Sequence, residues 1–312
     1  MAKILKPRAV VSGSRIALIS PASSAKATVA SRGLRELARL GFETHRVAQA
    51  ERPEGYFSGS VRGRSGELLT ALLGTRNRGV FCVRGGYGSA YLVDSLDKLR
   101  GAPPKVLLGY SDITCLQLAL WRKFRWVAFY GPMVAAGFAK GARRAGGYDP
   151  VSLERALTSH AEGWSIPLAG RTLSKGAASG TLLGGCLTLV ENSLGTDWEL
   201  DARGSILLLE DRGVLPYQLD RILVHLLQAG KFKGVRGVLL GEFPDCEPAA
   251  GSRVTAMEVC SRLLRPLGIP IVYGAPVGHA RRAMLTIPLG VRARLSAYGR
   301  GRLHILEPAV TP

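Results

Sequence analysis

Several absences narrow what this chain can be. No stretch of its 312 residues approaches the roughly 20 consecutive apolar residues a membrane-spanning helix needs. The apolar run Ile16 to Ile19, behind Lys3, Lys6 and Arg8, is far shorter than a signal-peptide core. The five cysteines, Cys82, Cys115, Cys186, Cys246 and Cys260, form no C-x-x-C pair. Such a dispersed, odd set argues against a disulfide framework or a zinc site and for buried thiols in a reducing compartment. The expectation is a cytoplasmic protein with no membrane partner. There is no internal repeat and no low-complexity tract.

Acidic residues are also scarce: 23 Asp and Glu stand against 42 Lys and Arg, for a net charge of +19. A surplus that large can serve nucleic acid, acidic lipid or an anionic substrate. The basic residues are nevertheless scattered, in pairs such as Arg143-Arg144 and Arg281-Arg282 rather than in blocks. Aromatics make up only 7% and are not interleaved with them. A compositional bias with a positively charged exterior is the favoured reading, and a nucleic-acid-binding protein is the rival from another class.

What is present is a β-α alternation. Arg15 to Ser20 reads as a strand, Val29 to Leu40 as a helix closing at Gly41, and Thr44 to Val47 as a second strand. Glu67 to Leu73 reads as a helix and Gly79 to Val83 as a strand. The loop Arg84-Gly85-Gly86-Tyr87-Gly88 opens a helix through Leu99. Val106 to Leu108 reads as a buried strand, and Ile113 to Phe124 carries apolar residues at helical spacing. The pattern loosens between Ala135 and Gly180, with a short helix over Val151 to Ser159 and a strand over Trp164 to Leu168. Beyond it, Leu182 to Leu187 reads as the start of a helix. Ser205 to Leu209, Gly237 to Leu240 and Ile269 to Tyr273 read as strands, with helices over Leu219 to Ala229 and Met257 to Leu264. The fold class is therefore α/β in two domains. An N-terminal domain (1–135) holds a mostly parallel sheet with helices on both faces. A connection (136–180) leads to a C-terminal α/β domain (181–312).

Ligands of open α/β sheets sit beyond the carboxyl ends of the strands. Three polar residues stand there: Ser111 after Val106-Leu107-Leu108, Glu210 after Ile206-Leu207-Leu208-Leu209, and His279 after Ile271-Val272-Tyr273. A hydroxyl, a carboxylate and an imidazole are the parts of a Ser-His-acid triad. Each has a plainer reading. Ser111 or Asp112 can cap the following helix. Glu210 can pair with Arg212 or Arg221, and Glu242 occupies a similar place. Of the other histidines, His225 lies within a helix, His45 in a strand, His160 in the connection and His304 near the end of the chain. Only His279 has glycine and proline neighbours that permit a tight exposed bend. The loop around Gly85 and Gly86 can cradle a phosphate, hold an oxyanion, or simply turn; its spacing is not that of a nucleotide-binding P-loop.

The order of short motifs is distinctive. Arg84-Gly85-Gly86-Tyr87-Gly88, Gly109-Tyr110-Ser111-Asp112-Ile113-Thr114, Tyr130-Gly131-Pro132-Met133, Gly184-Gly185-Cys186-Leu187, Leu208-Leu209-Glu210-Asp211, Pro216-Tyr217-Gln218-Leu219-Asp220-Arg221 and Pro276-Val277-Gly278-His279 occur in sequence. From about residue 10 to about 308 the chain resembles the LD-carboxypeptidase family of serine peptidases, which includes the microcin C self-immunity peptidases. The resemblance implies a site at the junction of two domains, with Ser111 as nucleophile, His279 as general base and Glu210 as its orienting acid. It implies an oxyanion hole from the backbone N–H of Asp112 and one from Gly85 or Gly86. It further implies release of D-alanine from murein tetrapeptide in peptidoglycan recycling, or cleavage of an acyl-nucleotide conjugate, by a homodimer. No metal or organic cofactor is implied. Two positions depart from the family. Cys186 stands where asparagine is usual, and Arg281-Arg282 stand near a second position where asparagine is usual. The arginine pair can favour an anionic substrate group through charge-assisted hydrogen bonds, or both changes can be neutral.

Overall fold

A computed structural model of the chain describes residues 3–47, 53–159, 163–248 and 250–312; His160 lies outside them. The first half builds β1 (Arg15–Ile19), α1 (Ala27–Arg39), β2 (Glu43–Arg46), α2 (Val61–Leu73), β3 (Gly79–Cys82), β4 (Val106–Gly109), α3 (Thr114–Phe124) and β5 (Ala128–Tyr130). There follow α4 (Pro150–Thr158), β6 (Trp164–Pro167), β7 (Arg171–Ser174), β8 (Gly176–Cys186), α5 (Leu187–Asn192) and β9 (Ser205–Glu210). The chain closes with α6 (Pro216–Gln228), β10 (Gly237–Gly241), α7 (Ala256–Leu264), β11 (Ile271–Ala275), β12 (Ile287–Leu289), β13 (Arg292–Ala297) and β14 (Arg302–Ile305). No helix among the described residues is long and apolar enough to cross a membrane.

Two mixed sheets result. The six-stranded sheet has the order β12-β5-β4-β3-β1-β2 and the eight-stranded sheet the order β6-β14-β13-β8-β9-β10-β11-β7. Each has a parallel centre, β5-β4-β3-β1-β2 in one and β8-β9-β10-β11 in the other. The central strands β3, β4, β9 and β10 are buried at every position, as continuous apolar runs covered on both faces must be. Antiparallel strands close both edges of the eight-stranded sheet and one edge of the six-stranded sheet, whose other edge is the parallel β2. Among them β12 leaves the C-terminal part of the chain and pairs with β5 of the first sheet.

Three local expectations are corrected. Leu182 to Leu187 does not start a helix: β8 runs through Cys186, and α5 begins at Leu187. The backbone at Gly184 is held at φ +124°, and a Cβ there would sit 1.9 Å from the Leu208 carbonyl oxygen, so it lies flush against β9. The segment Ser89–Leu99 is 3₁₀ rather than α-helical. Its Ser95 hydroxyl donates to the Leu92 carbonyl three residues back, competing with α-helical bonding. The stretch 136–180, which reads as loose from the sequence, contributes β6, β7 and the first half of β8 to the eight-stranded sheet. The hairpin β13-β14, which lies outside the elements read from the sequence, alternates buried with more exposed residues.

The carboxyl ends of the two parallel centres converge. Thr114, in the first turn of α3, accepts the Cys186 N–H at the end of β8 through its hydroxyl, 3.1 Å away. Cys186 is in turn the register partner of Glu210 on β9. The ends of β4 and β5 thus meet those of β8 and β9.

Candidate active site

The turn after β4 is backbone-strained at one residue. Tyr110 is extended (φ −150°), but Ser111 has φ +65°, the left-handed region that L side chains rarely enter. A non-glycine residue there costs about 1–3 kcal/mol, and such strain is kept where the surrounding structure requires it. A strained serine at a strand-to-helix turn is the setting a serine nucleophile needs. Neither Ser111 nor Asp112 caps α3, whose N-terminal position is Ile113 without a side-chain bond. The capping alternative open from the sequence does not hold there. Asp112, 2% exposed, instead accepts the backbone N–H of Ser89 at 2.7 Å and so ties the Ser111 turn to the start of the 3₁₀ segment. Burial pushes its carboxyl above the ordinary carboxylate value, against donors from Ser89 and Gly88 that pull it down.

The glycine loop packs against this turn. A Cβ on Gly85 would lie 3.0 Å from the Ser111 Cβ and 3.3 Å from its Oγ, so only glycine lets the loop approach so closely. Ser23 pins the loop from outside: its N–H donates to the Gly85 carbonyl at 3.1 Å, and its hydroxyl accepts the Tyr87 N–H at 3.2 Å. The N–H groups of Gly85, Gly86 and Asp112 donate to no acceptor among the described residues. Backbone donors fixed beside a strained serine can meet an oxyanion.

Glu210 and His279 come from the second sheet. Glu210 ends β9 and is fully buried. Its carboxylate accepts the His279 backbone N–H at 2.8 Å and faces the ring Nδ1 at 3.0 and 3.2 Å. It also accepts the Tyr130 hydroxyl at 2.5 Å. Three donors offset the desolvation of a buried carboxylate. The tight bend that makes this possible uses Gly278, at φ +63°, where a Cβ would be 2.2 Å from the Glu210 Cδ. The His279 imidazole lies edge-on to Tyr110, the neighbour of Ser111, with ring centroids 5.0 Å apart. Burial alone would depress its pKa, but the charge of Glu210 and its hydrogen bond, helped by Asp211, raise it above the ordinary value. A carboxylate on Nδ1 leaves Nε2 as the basic nitrogen of a neutral ring.

The remaining expected residues have other surroundings. Cys186 is 3% exposed, and burial first, then Asp211 and Glu210, push its thiol far up. Arg282 donates to Glu242 and to the carbonyls of Ala169 and Gly274. Arg281 donates its backbone N–H to Glu242 at 2.6 Å and its guanidinium to Glu247 at 3.0 Å, with Asp245 at 3.6 Å. The pair and its acidic neighbours form a local ion-pair cluster. Glu242, the rival acid, belongs to that cluster. His225 is on the exposed side of α6, 2.9 Å from Glu191. Tyr130 is a site residue that the sequence signals only by its place at the start of the motif Tyr130-Gly131-Pro132-Met133.

Comparison with known proteins gives the same frame. Residues 16–131 match the description of an LD-carboxypeptidase N-terminal domain, and residues 179–295 that of an LD-carboxypeptidase C-terminal domain. A putative carboxypeptidase of Streptomyces coelicolor is 35% identical over 322 residues, covering 99% of each chain. The murein tetrapeptide carboxypeptidase of Pseudomonas aeruginosa is 32% identical over 282 residues, 85% of this chain and 88% of that protein. Among solved structures, the microcin C7 self-immunity protein shares the fold, with a TM-score of 0.85 at 23% identity, over 98% of this chain and 100% of that one.

Proposed function

The chain belongs to the LD-carboxypeptidase family, a family of serine-type carboxypeptidases, and on that premise we propose that it releases the terminal D-alanine of murein tetrapeptide through Ser111, His279 and Glu210. The observation that carries this reading is the strained Ser111 turn, beside which Tyr110 meets an imidazole held twice by Glu210.

In this reading Nε2 of His279 takes the proton of Ser111 as Oγ attacks the amide carbonyl. The negative charge that forms on the carbonyl oxygen meets the N–H groups of Asp112 and of Gly85 or Gly86. His279 then delivers the proton to the leaving amine, and water hydrolyses the acyl-enzyme along the same path. A positioned base contributes about 10²–10⁴ in rate, and one oxyanion donor about 10²–10³. Glu210 keeps the ring in the tautomer that leaves Nε2 free.

An acidic-conjugate substrate recruited by Arg281 and Arg282 has less support, because Glu242, Asp245 and Glu247 already neutralise that pair. Action in the cytoplasm is part of the proposal, supported by five free, buried cysteines. So is a homodimer, which light scattering of the purified protein will test. The decisive experiment is Ser111→Ala with murein tetrapeptide as substrate. Loss of D-alanine release with an unchanged circular dichroism spectrum is the expected result, and full retained activity would refute the triad.

A further inference from the structure

We propose that Tyr130 is a positioning residue that joins the nucleophile turn to the orienting acid across the two sheets. The inference rests on the hydrolase reading above. Its hydroxyl accepts the backbone N–H of Ser111 at 3.3 Å and donates to Glu210 at 2.5 Å. Tyr130 ends β5, in register with Gly109 of β4, so its ring starts one strand from the Ser111 turn. Glu210 ends β9 of the other sheet. One phenol therefore spans the junction between the halves of the site.

The ring is held in place for this task. Tyr130 is fully buried and lies edge-on to Tyr110, with centroids 6.2 Å apart. Gly185 also packs close to it: a Cβ there would lie 3.2 Å from the ring. Burial and the charge of Glu210 drive its pKa well above the ordinary phenol value, so the hydroxyl stays protonated and can only donate toward the carboxylate.

Two consequences follow for the chemistry. The Ser111 N–H is occupied, which leaves the oxyanion to the N–H groups of Asp112, Gly85 and Gly86. The Glu210 carboxylate is also fixed in its plane. Tyr130 holds Oε1 and the His279 backbone N–H holds Oε2, so the ring Nδ1 meets a carboxylate that cannot swing away. The phenol further draws charge from the carboxylate that would otherwise act wholly on the imidazolium.

The test is Tyr130→Phe, which keeps the ring and removes the hydroxyl. Loss of a hydrogen bond to a charged group predicts kcat lower by about 10–100-fold, with KM changed by less than about twofold. The acid limb of kcat/KM should move to higher pH, because Glu210 then acts on His279 undiluted. A wild-type kcat and pH profile would overturn the proposal, as would a matching loss in kcat and KM with the limb unmoved. If the variant does not fold, 3-fluorotyrosine at position 130 replaces it. That side chain keeps the hydroxyl, is a stronger donor, and should move the acid limb to lower pH; an unmoved limb overturns the proposal. Ser111→Ala run in parallel separates the two claims. Its retained activity refutes the hydrolase reading, whereas an inactive Ser111→Ala beside an unaffected Tyr130→Phe refutes only the role of Tyr130.

Discussion

Glu210 holds His279 at two points at once, the backbone N–H at 2.8 Å and the ring Nδ1 at 3.0 Å. A single carboxylate thereby sets both the path of the loop and the tautomer of its imidazole. Glu210→Gln keeps the shape but presents the ring with an amide that can favour the wrong tautomer. It should lower kcat by about 10²–10⁴-fold with little change in KM, measured by steady-state release of D-alanine.

The same pair sets the pH dependence. Burial works against the imidazolium, but Glu210 outweighs it, so His279 titrates above its ordinary value of 6.5. A general base works only when neutral. As pH falls through that raised value the ring gains a proton and kcat/KM drops, so the acid limb should lie above pH 6.5. An NMR titration of His279 should give the same midpoint, and in Glu210→Gln it should fall.

Gly85 and Gly278 separate catalysis from stability. Gly85→Ala places a methyl 3.0 Å from the Ser111 Cβ without any left-handed requirement. It should cut kcat by about 10-fold or more through displaced oxyanion donors, with Tm nearly unchanged. Gly278→Ala adds both a left-handed φ and a clash with the Glu210 side chain. It should cost about 1–3 kcal/mol in chemical denaturation as well as activity.

Arg282 is expected to behave as a structural residue. It joins Glu242 to the carbonyls of Ala169 and Gly274. Arg282→Ala should lower stability by about 1 kcal/mol, read as a Tm lower by roughly 2–4 °C. It should leave the relative rates on neutral and acidic leaving groups unchanged. A selective loss of activity on acidic conjugates would restore the anion-binding reading.

The cysteines should be inert in the folded protein. All five are buried, and burial raises each thiol, Cys246 to about 11 and the others further. The thiolate is the reactive form. A thiol reagent at pH 8 should therefore titrate none of them in native protein and all five after unfolding in guanidinium.

Much of this site is written in local pattern. Apolar runs such as Val106-Leu107-Leu108 and Ile206-Leu207-Leu208-Leu209, bounded by turn residues, read as buried strands. The residues that end such strands lie at the sheet's carboxyl edge, which singles out Ser111 and Glu210 from sequence alone. The glycines around His279 and Gly85 likewise announce backbone bends. Local pattern failed where two structures share one composition. Leu182 to Leu187 is a short apolar run that suits helix or strand equally, and only pairing of β8 with β9 decided it.

Fold class and the residue types able to do the chemistry are thus legible in local pattern. Their partners are not, because they come from long-range packing. Tyr130 and Glu210 are 80 residues apart, His279 and Glu210 are 69, and Arg282 and Glu242 are 40. The first pair depends on how the two sheets turn their strand ends toward each other, and the other two on the order β9-β10-β11 within one sheet. Contacts within each half likewise gave Asp112 the 3₁₀ segment rather than α3 to cap, and left Arg281 and Arg282 among carboxylates. No local periodicity encodes such contacts, because they are set by the summed packing of one continuous core and not by the residues that meet.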